Sequence, residues 1–146
     1  MSTIPSGPFF IVSKLNGRVL DVKDGSIENA APIIVWSKKS SNNQNQLWFY
    51  RSGYFVNINS EKVLDVKGNK IEKNASIIQY DAKQVDESNL NQLWSFDPYG
   101  CIYAQSNPGL VLDIKDAQDK DGAEVILYER KQDTMAANQL WQLIPA

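Results

Sequence analysis

Three copies of one pattern fill this chain, and a fold must accommodate all three. Val19-Leu20-Asp21-Val22 returns as Val63-Leu64-Asp65-Val66 and as Val111-Leu112-Asp113-Ile114, at steps of 44 and 48 residues. Ile33-Ile34-Val35-Trp36, Ile77-Ile78-Gln79-Tyr80 and Val125-Ile126-Leu127-Tyr128 form a second set, ending on an aromatic residue 15 positions after the aspartate in every copy. A third set is Asn45-Gln46-Leu47-Trp48, Asn91-Gln92-Leu93-Trp94 and Asn138-Gln139-Leu140-Trp141; it follows the aromatic by 9, 11 and 10 residues. The first half of each repeat is therefore fixed in length and the second holds a variable loop. Self-similarity at such a period marks a repeat architecture.

Within each copy the apolar residues alternate or run in fours and fives between clusters of Asn, Gly, Ser, Asp and Pro, which is the signature of short strands. Residues 129–138 could form one helical turn, interrupted by Asp133 and Thr134. The chain is expected to be all-β. Three unequal copies with nothing left for a linker point to a closed threefold object, which also removes exposed sheet edges. The 146 residues suit one domain, with repeats at about 8–51, 52–97 and 98–146.

Composition removes several function classes. With no histidine in the sequence, His-based triads, His proton shuttles and imidazole metal sites are excluded. No cofactor is expected. Fifteen basic residues against 17 acidic ones give no field to hold a polyanion, so nucleic acid is not an expected partner. No apolar run approaches the roughly 20 residues that cross a bilayer, and Met1-Ser2-Thr3-Ile4-Pro5-Ser6-Gly7 has neither a basic nor an apolar leader segment. Membrane insertion is not expected. The lone Cys101 forbids an internal disulfide.

The repeated polar residues invite a chemical reading. Alternation puts the apolar neighbours of Asp21, Asp65 and Asp113 on the core face and throws each carboxylate outward. Aspartate is disfavoured in strands, so three need a reason, either a turn-capping role or a ligand contact. A carboxylate accepts two hydrogen bonds side by side and so matches adjacent sugar hydroxyls. Trp36, Tyr80 and Tyr128 offer flat faces for the C–H patch of a galactose-like ring, the alternative being core aromatics. If Ile33, Val35, Ile77, Val125 and Leu127 point inward, these rings point outward beside Ile34, Ile78 and Ile126; Gln79 breaks the inward pattern. Asn45, Asn91 and Asn138 add amides that donate and accept. Gln46, Gln92 and Gln139 with Trp48, Trp94 and Trp141 are assigned to the core, each Gln satisfying backbone groups. Lys39, Lys83 and Lys131 form a further column, 18 residues after the aspartates. Asn74-Ala75-Ser76 fits a glycosylation sequon, a triplet common by chance.

These residues give a family resemblance. The chain resembles the ricin-type lectins, whose repeats carry Gln-x-Trp, here Gln46-Leu47-Trp48, Gln92-Leu93-Trp94 and Gln139-Leu140-Trp141, from about Phe10 to Leu143. The resemblance implies a β-trefoil of twelve strands, six in a barrel and six in three capping hairpins. It implies carbohydrate-binding roles for Asp21, Trp36 and Asn45, for Asp65, Tyr80 and Asn91, and for Asp113, Tyr128 and Asn138. Lys39, Lys83 and Lys131, with backbone N–H groups at Asp24, Gly68 and Asp116, join them on the same basis. Some family sites have glutamine two residues before the aromatic, where this chain has Ile34, Ile78 and Ile126, so one polar contact is absent.

The implied function is a non-catalytic, multivalent lectin and agglutinin for galactose- or N-acetylgalactosamine-terminated glycans on glycoproteins or glycolipids, with a homodimer left open. The missing cysteine pairs imply a cytoplasmic or unconventionally secreted protein. Two alternatives stand beside it. One is a toxin or glycosidase with unrecognised catalytic residues, against which threefold symmetry speaks because catalysis needs an asymmetric pair. The other is a protein-binding trefoil, such as a protease inhibitor, acting through loops 81–90 and 132–137. Alanine at Asp21, Asp65 or Asp113 is expected to silence its own repeat and leave the fold intact.

Overall fold

The structure is a computed structural model that describes residues 4–84, 87–131 and 136–146, with the backbone alone for 87–89. Both variable loops considered above, 81–90 and 132–137, thus lie partly outside the described residues, as do Asp133 and Thr134. A 3-10 turn spans Ala137–Gln139, after the residues that interrupt the 129–138 stretch.

Among the described residues twelve strands run in three sets of four. The first set is β1 (Phe9–Ser13), β2 (Val19–Val22), β3 (Ile33–Trp36) and β4 (Trp48–Arg51). The second is β5 (Tyr54–Asn57), β6 (Val63–Val66), β7 (Ile77–Tyr80) and β8 (Trp94–Phe96). The third is β9 (Ile102–Ala104), β10 (Asn107–Ile114), β11 (Val125–Glu129) and β12 (Trp141–Pro145). The outer strands of each set build the barrel: β1 pairs with β12 and β4, β4 with β5, and β8 with β9, all antiparallel. Backbone bonds from Trp94 to Gly53 and from Trp141 to Gly100, each 2.8 Å, link the remaining neighbours. The inner strands form hairpins β2–β3, β6–β7 and β10–β11 over one end. This is a β-trefoil, all-β as expected.

Trp48, Trp94 and Trp141 fill the centre and are fully buried. A buried indole N–H needs an acceptor. Each finds the carbonyl of the leucine before the aspartate in its own repeat: Trp48 bonds Leu20 (3.2 Å), Trp94 bonds Leu64 (3.0 Å) and Trp141 bonds Leu112 (3.3 Å). Barrel and hairpin are thereby tied together once per repeat.

The hairpins close on one another through a ring of backbone bonds. Ala30 N–H donates to Gln79 O and Gln79 N–H to Ala31 O; Asn74 and Leu127 exchange the same pair with Leu127 and Ala75; Gly122 and Val35 do so with Val35 and Ala123. All six lie between 2.8 and 3.0 Å. The first residue of each trio must turn left-handed, with φ of 71° at Ala30, 71° at Asn74 and 88° at Gly122. The second is alanine each time, Ala31 and Ala123 buried in the core and Ala75 packed against it. The inward break at Gln79 also has its reason here. Its side chain is fully buried yet satisfied, donating to Ser26 O and Glu28 O and accepting from Ser60 Oγ.

Candidate functional site

Strand register places the candidate residues. In the first hairpin Asp21 lies opposite Ile34 and Val19 opposite Trp36; Asp65 lies opposite Ile78 with Val63 opposite Tyr80, and Asp113 opposite Ile126 with Val111 opposite Tyr128. Side chains alternate along a strand, so acid, isoleucine and ring share the face turned away from the barrel. The three isoleucines are only 5–7% exposed and bridge between hairpins rather than opening to water.

The aspartates correct the expectation of outward carboxylates. They face away from the barrel but are only 3% exposed, because the third segment of each repeat folds over them. Asn45 Nδ2 donates to Asp21 Oδ1 (3.2 Å) and Val22 O (3.1 Å), while Gln46 Nε2 donates to Asp21 Oδ2 (2.9 Å) and Ser37 O (3.0 Å). The same four bonds recur around Asp65, from Asn91 and Gln92, and around Asp113, from Asn138 and Gln139. Each carboxylate is the floor of a cup, not a projecting acid. Of its roughly four acceptor positions two are occupied, leaving about two for hydroxyls.

Two roles differ from those read in the sequence. The Asn amides were expected to meet a ligand with both donor and acceptor, but both Nδ2 hydrogens are committed to the protein, which leaves the Oδ1 acceptor. Asn91 Oδ1 is buried without a hydrogen-bond partner, the one such side-chain atom among the described residues. The glutamines of Gln-x-Trp, assigned to backbone satisfaction, also orient the carboxylates. Gln46 Oε1 accepts from Lys39 N–H, Gln92 from Lys83 and Gln139 from Lys131. One side chain thus joins acid, ring strand and lysine column. Parity with the tryptophan places that glutamine inside; its neighbour, the aspartate, comes from sequence positions 25 to 27 residues away and left no local signal.

The rings stay accessible, Trp36 at 39% and Tyr80 at 37%, with Tyr128 half-buried. Lys83 Nζ stands 5.9 Å over the Tyr80 ring and Lys131 Nζ 5.8 Å over Tyr128. Lys39 lies close enough to Asp21 to act on it electrostatically. Asp24, Gly68 and Asp116 are exposed and left-handed, φ 60°, 68° and 56°, which explains why only Asp and Gly occur there. In the third repeat Asp113, Asp116, Tyr128, Lys131 and Asn138 line one cavity of about 390 Å³. All five candidates of that repeat come together.

Each cup takes part of its rim from another repeat. Gly122 abuts Trp36, and Asp121 accepts from Ser37 N–H at 2.8 Å and from Arg18 Nε at 2.9 Å. Asn29 pairs with Asp81 after Tyr80, and Lys73 Nζ reaches Glu129 after Tyr128 at 3.7 Å. The sequence reading missed these partners because it compared repeats as copies, whereas the rims are the positions at which the copies differ.

Burial raises the proton affinity of Asp21, Asp65 and Asp113 above the ordinary aspartate range, opposed first by the bonds from Gln46, Gln92 and Gln139 and then by the charges of Lys39, Lys83 and Lys131. An anion kept in a partly desolvated cup by donors and a nearby ammonium, beside an open aromatic face, is suited to gripping a polyol. Among the described residues no group of acids and cysteines could hold a metal ion, and no helix is long and apolar enough to cross a membrane.

The fold and the three cups define a class, the carbohydrate-binding β-trefoils. Residues 8–143 match the ricin-type β-trefoil lectin domain, and the chain belongs to that family. It is 59% identical over 100 residues to mucoricin of Rhizopus delemar, an alignment covering 68% of this chain and 67% of that protein. Among solved structures it is similar to the designed threefold-symmetric protein ThreeFoil, at a TM-score of 0.80 and 30% identity over 95% of this chain and 99% of that one. The earthworm R-type lectin C-half, solved with GalNAc, has the same fold at a TM-score of 0.76 and 24% identity, covering 96% and 98%.

Proposed function

We propose that the protein is a multivalent, non-catalytic lectin for galactose- or N-acetylgalactosamine-terminated glycans, acting as one domain through its three repeats. The observation that carries this reading is the buried carboxylate with both oxygens oriented by amides, repeated three times beside an accessible ring. Adjacent hydroxyls of the sugar donate to the free lone pairs of Asp21, Asp65 or Asp113. The apolar face of the hexose covers Trp36, Tyr80 or Tyr128. The glutamine bonds, and after them the lysine column, oppose the rise in proton affinity that burial gives the acid. Asp113 shares its cavity with the exposed Asp116, but the equivalent position in the second repeat is Gly68, so a carboxylate pair is not part of the set that recurs in all three repeats, which disfavours glycoside hydrolysis.

A single cup of this kind binds weakly, at about millimolar or roughly −4 kcal/mol. Three cups on one body raise the apparent affinity for a glycan-coated surface by about 10²–10⁴, and agglutination follows. The test is calorimetry with lactose together with a glycan array. Saturable binding of galactose-terminated ligands is the expected result; its absence across the array would falsify the reading. Loss of agglutination on Trp36→Ala/Tyr80→Ala, with lactose still bound by the third cup, would show that valency matters.

Acid should release the sugar before it disturbs the fold. A carboxyl whose folded pKa is raised adds stability that is complete below the unfolded value, about 3.9, and lost as pH rises through the folded value. Lowering the pH therefore does not unfold the cups through these three groups. Protonation does remove the anion that accepts the hydroxyls. Lactose affinity is expected to fall as the pH drops from 7 towards 4 while circular dichroism stays unchanged. An affinity flat to pH 4 would contradict the role given to the carboxylates.

A further inference from the structure

The three cups share acid, amide and ring but differ at one rim position supplied by another repeat. At the first cup it is Gly122, at the second Ala30, and at the third Asn74, which lines the third cavity beside Tyr128. Only the third cup gains a polar side chain there. Asn74 also lines a second concavity, of about 460 Å³, on whose walls stand Lys67, Lys70 and Lys73 with a single acid, Glu72. All four charged side chains are exposed. The two hollows meet at Asn74. Lys73 Nζ lies 3.7 Å from Glu129, the residue after the Tyr128 ring, so it stands beside the third cup with its charge offset by that acid.

From this juxtaposition we infer that the third cup is the larger half of an extended site for acidic galactosides, with Asn74 as the shared wall and Lys67, Lys70 and Lys73 as an anion-binding lobe. The inference rests on the galactoside reading proposed above. Stereochemistry restricts where the charge can sit. In the reading proposed above Asp113 takes adjacent ring hydroxyls, O2 with O3 or O3 with O4. O6 belongs to neither pair and is free to carry the charge towards the lobe. The ligand chemistry is therefore a galactose with an anion on or through O6. A sulfate ester there and a carboxylate-bearing sugar linked there are its two sources.

The test uses the full chain carrying Trp36→Ala and Tyr80→Ala, exposed rings whose removal leaves the third cup alone. Lactose, 6′-O-sulfolactose and 6′-sialyllactose are titrated at low salt. At least one acidic ligand is expected to bind about fivefold tighter than lactose, as one or two solvent-exposed charge contacts allow. The ratio should fall towards one in about 0.5 M NaCl, where the Debye length is a few ångströms. K67Q/K70Q/K73Q should bring the ratio to about one at low salt. Glu129→Gln, which releases Lys73, should raise the ratio, a gain that misfolding cannot imitate. Whichever acidic ligand gains identifies the source of the anion. If lactose binds and neither acidic ligand exceeds it, the lobe is overturned while the galactoside reading stands. If none of the three binds, both fall.

Discussion

Asparagine at Asp21, Asp65 and Asp113 together is expected to abolish measurable lactose binding while the protein remains folded. Each substitution keeps the size of the side chain and removes the charge. Bonds from hydroxyls to a carboxylate are worth about 1.5–3 kcal/mol each, and every 1.4 kcal/mol or so is a factor of ten. A cup that begins near millimolar affinity then drops out of calorimetric range. Single substitutions should leave two binding sites of three. The structure makes asparagine a better probe than alanine, against the expectation that the alanine series leaves the fold intact. Each carboxylate holds two buried donors, Asn Nδ2 and Gln Nε2. Alanine would strand both, at about 1–3 kcal/mol per unsatisfied donor, whereas asparagine keeps one acceptor oxygen and strands one donor per cup, half the cost. Thermal melting beside calorimetry separates the two outcomes: retained binding in the asparagine triple variant would remove the carboxylates from the site.

Much of this architecture is legible in the sequence because repetition multiplies weak signals. One Leu-Asp-Val or one Gln-x-Trp says little, but three of each at matched spacing gave the strands, the threefold closure and the ring column at Trp36, Tyr80 and Tyr128. Alternation also assigned the correct face to each aspartate. It could not say how deep that face lies, because depth depends on a segment more than 20 residues further along that folds back over the hairpin. Burial of Asp21 is a tertiary fact. So is the second duty of Gln46, whose sequence neighbours show only that it shares a face with Trp48. The rims were invisible for a different reason. Gly122 beside Trp36, Asn29 beside Asp81 and Lys73 beside Glu129 are contacts between non-equivalent positions of different repeats, and comparing copies in register discards that information.

The second large effect is on stability. Trp94→Ala removes a fully buried indole from the centre of the trefoil and leaves Leu64 O without its 3.0 Å donor. Truncating a core tryptophan costs about 3–5 kcal/mol. In a domain of this size that lowers the melting temperature by roughly 10–15 °C. Trp48 and Trp141 hold equivalent positions, bonded to Leu20 and Leu112, and should give losses of the same order. The orphaned carbonyl directly precedes the aspartate, so in Trp94→Ala the second cup should lose lactose before the others. Melting curves with and without saturating lactose measure both effects. A loss below about 1 kcal/mol at all three positions would contradict the shared-core arrangement.

The central claim is that sugar is gripped at the outer face of each hairpin, over the ring and the buried acid, and nowhere else. Its most direct measurement is an indole N–H spectrum of 15N-labelled protein during lactose titration, because the four tryptophans divide cleanly. Trp36 lies in a cup and Trp48, Trp94 and Trp141 lie in the core. A saturable shift of the Trp36 resonance, with the three core indoles essentially still, is the predicted result. A still Trp36 at saturating lactose, or shifts confined to the core indoles, would contradict it.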